Sequence, residues 1–266
     1  MRLDGAVALL TGASSGIGRA LAVELSQRGA RLILLGRRIE ALDETRMMLR
    51  DPSQAWMLPA DLTDPEQRRA VPALARACAG RLDLLINNAG AVAAGLLEAQ
   101  SEEAWRRLLE INLVAPMALS RDLCAMLAAS GQGRIVNIGS MFGDIAFPHF
   151  AAYSASKFAL RGWSDALRRE YADLGIGVTY CAPRGTRTAA ADGFMAYAEA
   201  YAMPLDPPER VARRIAAGIM RDARNIYPAG PERLFLLLQR LFPSSIDRAL
   251  RGQYRTATRR LTAPSE

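Results

Sequence analysis

Val7-Ala8-Leu9-Leu10-Thr11-Gly12-Ala13-Ser14-Ser15-Gly16-Ile17-Gly18 decides how this chain folds. A short apolar run, consistent with a buried strand, ends in a turn with three glycines and passes at once into a helical pattern. Glycines permit a tight turn and a close backbone approach to a phosphate. The helix start offers unpaired N–H groups and the positive end of a dipole. The spacing is Gly-x-x-x-Gly-x-Gly, not the ordinary Gly-x-Gly-x-x-Gly dinucleotide fingerprint. Glycines that merely close a turn would not require three of them at a helix start.

The rest of the chain repeats the alternation. Strands are expected at Val7–Leu10, Leu32–Leu35, Ala55–Leu58, Leu82–Ile86, Arg134–Ile138, Val178–Ala182 and Asn225–Tyr227. Helices are expected near 17–28, 39–50, 65–78, 101–129, 152–174, 207–221 and 231–241. Apolar strands alternating with amphipathic helices predict an α/β domain, a parallel sheet covered on both faces. Residues 184–206 interrupt the alternation and read as an inserted loop. No repeat or composition break precedes about residue 230. The expected division is a catalytic domain over 1–230 and a helical extension with a basic tail over 231–266.

Composition narrows the function classes. The chain has 266 residues, half of them hydrophobic, enough for a sizeable core. Its one histidine, His149, argues against histidine-cluster metal sites and serine–histidine triads, and no metal is expected. Cys78, Cys124 and Cys181 are too scattered for a metal site and suit a reducing compartment. With no signal peptide in the reading of the first residues, the expected location is cytoplasmic. No apolar run approaches the roughly 20 residues that span a bilayer. The net charge is +7, and residues 206–266, with 12 arginines and 6 acids, hold +6 of it. A solvated arginine-rich surface explains this better than nucleic-acid binding, because no basic stripe is interleaved with aromatics.

The chain contains a single lysine, four residues after a tyrosine, in Tyr153-Ser154-Ala155-Ser156-Lys157. Residues four apart share a helix face, so the ammonium is expected beside the phenol. A nearby cation lowers a tyrosine pKa from about 10, which suits proton transfer near neutral pH. An ordinary exposed pair is the alternative. The second strand ends in Gly36-Arg37-Arg38, with no carboxylate to hold a ribose 2′-hydroxyl. Two arginines there suit a 2′-phosphate, so NADP(H) is expected over NAD(H).

The glycine turn, Asn87-Asn88-Ala89-Gly90 and Tyr153-x-x-x-Lys157, in that order, resemble the short-chain dehydrogenase/reductase superfamily over about residues 4–230. The resemblance implies a Rossmann-type doubly wound parallel sheet in three α/β/α layers, a nicotinamide cofactor, and carbonyl–alcohol interconversion. By the same resemblance, Gly12, Ser14, Ser15, Gly16, Ile17 and Gly18 form the pyrophosphate turn. Asp61 and Leu62 hold the adenine, and Asn88, Ala89 and Gly90 support the cofactor ribose. Asn112 anchors a proton-relay water, Ser140 polarises the substrate carbonyl, and Tyr153 is the acid/base. Lys157 binds ribose hydroxyls and tunes the tyrosine. Pro183, Thr186 and Thr188 keep cofactor contacts, and two or four subunits are implied.

One departure stands out. The family's glycine after Pro183 is Arg184 here, beside the expected nicotinamide pocket. Arg184 therefore becomes a candidate contact for an anionic substrate, with a solvent-facing side chain as the alternative. Met141, Phe142, Phe147, His149 and Phe150 are candidate walls of an apolar substrate pocket. Residues 189–205 are a candidate flexible lid. The leading reading is an NADP(H)-dependent ketone reductase or alcohol dehydrogenase for a hydrophobic small molecule. The alternatives are a cofactor-binding regulator with little turnover and a lipid-handling protein at a membrane surface. The apolar helix from Pro231 is expected to pack on its own domain or a second subunit. An anionic lipid surface is its alternative partner.

Overall fold

The computed structural model describes residues 1–188 and 192–262, so residues 189–191 of the expected lid lie outside the described residues. Seven strands form one parallel sheet in the order β3-β2-β1-β4-β5-β6-β7. They are β1 Val7–Thr11, β2 Arg31–Gly36, β3 Ala55–Pro59, β4 Leu84–Asn87, β5 Arg134–Ile138, β6 Gly177–Cys181 and β7 Asn225–Ile226. Helices α1 Gly16–Gln27, α2 Ile39–Met47 and α3 Pro65–Ala79 connect the first four strands.

Period-two strand geometry explains why the sheet is covered on both faces. Ala8 and Leu10 of β1 join a core with Leu21 and Leu25 of α1 and Ile215 and Ile219 of α9, Pro208–Met220. Val7 and Leu9 point the other way and pack with Val71 of α3, Leu119 of α5, Ala115–Asp122, and Leu167 of α7, Ala151–Glu170. Strands apolar at every position therefore bury both of their faces. Each buried leucine or valine side chain contributes roughly 1.5–3 kcal/mol.

The strand order reverses at β1, which pairs with β2 on one side and β4 on the other. Ligand crevices in such sheets lie outside the carboxyl ends of strands at this reversal.

Three expectations need correction. The helix expected over 101–129 is broken into α4 Glu102–Leu109, a π-helical segment Glu110–Val114, α5, and α6 Cys124–Ala129. Pro116 has no N–H to donate to the carbonyl of Asn112 four residues earlier, so the helical ladder lacks a bond where the π segment meets α5. The inserted loop 184–206 contains a helix, α8 Asp192–Ala200, with Phe194 and Ala198 buried in an aromatic cluster. The expected flexible lid is therefore a packed element. The basic tail is also helical: after α10 Glu232–Leu241, α11 runs from Pro243 to Thr262. Its Ala257 is fully buried, and Arg260 donates to the Ala200 carbonyl at the end of α8 at 2.9 Å. No helix among the described residues is long and apolar enough to cross a membrane.

Candidate active site

The glycine turn joins β1 to α1. Gly12 has φ of 65°, and a Cβ there would lie 2.9 Å from the Ala89 Cα. Gly18 is more constrained, since its Cβ would lie 2.0 Å from the Gly12 carbonyl oxygen. The Asn88 amide donates to the carbonyls of Thr11 and Gly12 at 2.9 and 3.1 Å. The Thr11 hydroxyl accepts from the Asn88 and Ala89 N–H groups, both at 2.9 Å. Thr11 thus welds the turn to the end of β4, a role missed from the sequence although Thr11 ends the quoted strand. Ser15 caps α1 with extended backbone and no side-chain hydrogen bond, and the first turn has no acid. Its N–H groups and positive dipole end suit a bound phosphate.

A groove of about 770 Å³ runs from this turn past Arg37, Asp61, Leu62, Asn88, Ala89 and Gly90. Ser14, Ser15, Gly16, Ile17 and Thr188 also line it. Arg37 and Arg38 are both exposed, but only Arg37 lines the groove, while Arg38 caps α2. Asp61 accepts from the Thr63 N–H and hydroxyl at 2.9 and 2.7 Å. Burial works to raise its pKa, but those hydrogen bonds and the Arg37 cation outweigh it and hold the carboxyl below its ordinary value.

A second cavity of about 540 Å³ shares Ile17, Asn88, Gly90 and Thr188 with the groove. Ser140, Tyr153 and Lys157 open into it, and Pro183 and Thr186 also line it. Ser140 follows β5, and its hydroxyl accepts from the Phe142 N–H at 3.1 Å. Tyr180 of β6 is fully buried behind it, donating to the Ser140 carbonyl at 3.2 Å and accepting from its N–H at 3.4 Å. The sequence reading missed Tyr180. Its only trace was Gly139 and Gly143, where any Cβ would strike that phenol ring or its hydroxyl.

Tyr153 and Lys157 lie one turn apart on α7, both buried. Lys157 Nζ donates to the Ile138 carbonyl at 3.1 Å and lies 5.7 Å from the Tyr153 ring centre. Burial lowers the Lys157 pKa to about 8. Burial raises that of Tyr153 to about 12, against a smaller opposing pull from the Ser140 hydroxyl. This corrects the expected lowering of the tyrosine, because desolvation of the buried phenol dominates.

Asn112 is buried in the π segment with every side-chain group engaged. It accepts from the Ala91 N–H at 2.9 Å and donates to the Ala91 carbonyl and the Ser156 hydroxyl at 2.9 and 3.0 Å. The Ser156 hydroxyl donates in turn to the Tyr153 carbonyl at 2.7 Å. Asn112 therefore ties the segment after β4 to α7.

The substrate-wall candidates divide. Met141, Phe142 and Phe147 line the cavity, joined by Phe194, Tyr201 and Met203. His149 does not line it. It lies among Tyr197, Tyr201 and Tyr254, with Nδ1 2.8 Å from the Tyr201 hydroxyl. Phe150 is fully buried behind the wall.

Arg184 also lines the cavity, but its guanidinium is engaged. It holds Asp206 through two hydrogen bonds of 3.0 and 2.8 Å and Glu232 through one of 2.6 Å. A cation already bonded to two carboxylates is a poor anchor for an anionic substrate, which corrects that expectation. Its φ lies outside the left-handed region, so nothing in its backbone calls for glycine. Arg184 instead fastens α10 beside the cavity. Phe235 of α10 and Gln253 of α11 complete the wall, a contribution of the extension that no local motif announced.

A sequence-family profile described as short chain dehydrogenase matches residues 6–196. The chain is 38% identical over 186 residues to mouse Dehydrogenase/reductase SDR family member 7B, covering 68% of this chain and 58% of that protein. It thus spans less than two thirds of that relative. It is 33% identical to the Escherichia coli 3-oxoacyl-(acyl-carrier-protein) reductase FabG, over 85% of this chain and 88% of the relative. A crystal structure of a short chain dehydrogenase/reductase from Burkholderia phymatum in complex with NAD superposes with a TM-score of 0.83. It is 24% identical and covers 90% of this chain and 94% of that one.

Proposed function

The chain belongs to the short-chain dehydrogenase/reductase family, and on that premise we propose that it moves a hydride between NADP(H) and a carbonyl or secondary alcohol of a hydrophobic substrate. One observation carries this reading. Ser140, Tyr153 and Lys157 share one largely apolar cavity that continues into the glycine-turn groove. Its volume, about 540 Å³, lies in the range of small-molecule sites.

Bound nicotinamide supplies or accepts the hydride. The uncapped start of α1 fits its pyrophosphate, and Lys157, close to Gly90, fits ribose hydroxyls. In the reductive direction Tyr153 gives its phenolic proton to the substrate oxygen. Ser140 donates a hydrogen bond to that oxygen as negative charge develops on it. Tyr180 keeps the Ser140 backbone in place. Lys157 stabilises the phenolate left behind, in a site where burial makes that charge costly. Asn112, whose carbonyl has no N–H to accept at Pro116, would hold the water that returns the proton.

Arg37 in the groove, with no carboxylate at the end of β2, supports NADP(H). The Burkholderia phymatum protein binds NAD, which makes NAD(H) the competing reading. The name of the Escherichia coli relative puts 3-oxoacyl thioesters among the carbonyls to be assayed. A homo-oligomer in the cytoplasm completes the proposal.

The test is turnover with NADPH and NADH over carbonyls from short ketones to 3-oxoacyl thioesters. Tyr153→Phe is expected to abolish turnover and leave cofactor affinity intact. Arg37→Ala with Arg38→Ala is expected to weaken NADPH tenfold or more and spare NADH, since a charge-assisted hydrogen bond contributes about 1.5–3 kcal/mol. NADPH binding without turnover of any carbonyl would favour the cofactor-binding regulator.

A further inference from the structure

Helix α10 is apolar on two sides. Leu236 faces inward and packs with Met141, Tyr180, Ala182 and Tyr227. Leu234, Leu237 and Leu241 face outward, and at about 100° per residue they fall within an arc of roughly 60°. Phe235, and Phe242 just past the helix end, lie to one side of them, and these five side chains are between 45% and 60% exposed. A continuous patch of this kind on a soluble face marks an interaction surface.

Helix α11 adds charge. Its inner side is seated on α8 through Ala257 and Arg260. Arg248, Arg251, Arg255 and Arg259 are all exposed. At about 100° per residue they occupy an arc of roughly 80°. Among the described residues none of the four pairs with a carboxylate, and the only acid in the helix is Asp247. The ordinary use of such arginines, pairing along the helix, is therefore missing.

We propose that α10 and α11 form a docking surface for an anionic lipid bilayer, with the leucines entering the headgroup boundary and the arginine stripe meeting acidic headgroups. Neither helix spans the bilayer, and both lie along its surface. Charge selects lipid over a second copy of this chain. A two-fold partner would present the same patch, with almost no carboxylate to pair the arginine stripe. Phe235 belongs both to the exposed patch and to the wall of the cavity. Docking therefore puts the cavity wall at the lipid boundary, where an apolar carbonyl compound would enter directly. That last step rests on the proposed reductase activity; the docking surface does not.

Cosedimentation of the full chain with phosphatidylcholine vesicles, and with vesicles that also carry phosphatidylserine, tests the surface. The expected result is binding to the anionic vesicles, weaker binding to the neutral ones, and release by salt. Arg248→Gln, Arg251→Gln, Arg255→Gln and Arg259→Gln together should lower the partition several hundred-fold. Each basic residue near such a surface contributes about 1 kcal/mol, or about fivefold. Leu234→Ser with Leu237→Ser and Leu241→Ser should also abolish binding. Neither set lines the cavity, so thermal melting and turnover of a small water-soluble ketone should match the wild type. Wild-type protein that ignores anionic vesicles at low salt would overturn the proposal, whatever the variants do. So would a leucine variant that turns an oligomer into a monomer without changing vesicle binding, which would assign the patch to a second copy. Vesicle binding without turnover would leave the docking surface standing and count against the reductase reading alone.

Discussion

Lys157→Met is expected to abolish turnover and, in the cofactor-free protein, to change how stability depends on pH. The lysine is 5% exposed, and burial lowers its pKa from 10.5 to about 8. The unfolded chain therefore binds more protons than the folded one between those values. The desolvation penalty is fully present below about pH 8 and disappears as pH rises toward 10.5. At 1.36 kcal/mol per pKa unit, wild type should gain about 2 kcal/mol relative to Lys157→Met between pH 7 and pH 9.5. Loss of the hydrogen bond to the Ile138 carbonyl shifts the variant by a constant amount, because a neutral amine donates as well. Every other titrating group is common to both proteins and cancels in the comparison. The assay is urea unfolding followed by circular dichroism at both pH values, extrapolated to water. A stability difference that stays the same across this range would show that Lys157 keeps its water in the folded protein. The accounts of its burial and of its interplay with Tyr153 would then both be wrong.

Tyr180→Phe should lower kcat about fivefold while leaving cofactor affinity unchanged, since an ordinary hydrogen bond contributes about 1 kcal/mol; equal kcat would show that the Ser140 backbone needs no buttress. Arg184→Ala should cost about 1.5–3 kcal/mol of stability, read by urea unfolding, by leaving the buried Asp206 carboxylate with Arg210 alone at 3.5 Å. Its KM should rise alike for neutral and anionic substrates; a rise confined to anionic ones would restore Arg184 as a substrate contact. Gly18→Ala should abolish NADPH binding, followed by fluorescence titration, because the added methyl collides with the Gly12 carbonyl and α1 must move. Retained affinity would mean that the turn tolerates the shift.

Local pattern and ordered motifs made the parallel sheet, the glycine turn and the meeting of Ser140, Tyr153 and Lys157 in one cavity legible in the sequence. Period-two burial on both faces produces apolar strands, and a phosphate turn needs glycine wherever backbones touch. Both requirements are written in neighbouring residues. An internal proline did not announce the broken helix at 101–129, because Pro72 lies inside the unbroken α3 just as Pro116 lies inside α5. Other features depend on residues far apart in the chain. Burial moves Tyr153 and Lys157 in opposite directions, and no sequence pattern states how deeply a helix face is buried. Arg184 finds Asp206 and Glu232 across separations of 22 and 48 residues, so its role belongs to the folded chain. The place of His149 between Ser140 and Tyr153 points to the pocket, yet packing turns it toward tyrosines of α8 and α11 and the segment between α8 and α9. The extension closes the cavity with Phe235 and Gln253 for the same reason. Short-range residue patterns determined the sheet and the glycine turn at its edge. Long-range packing and desolvation decided the protonation energetics, the walls of the cavity and the outward apolar face of α10, because those depend on which distant surfaces meet.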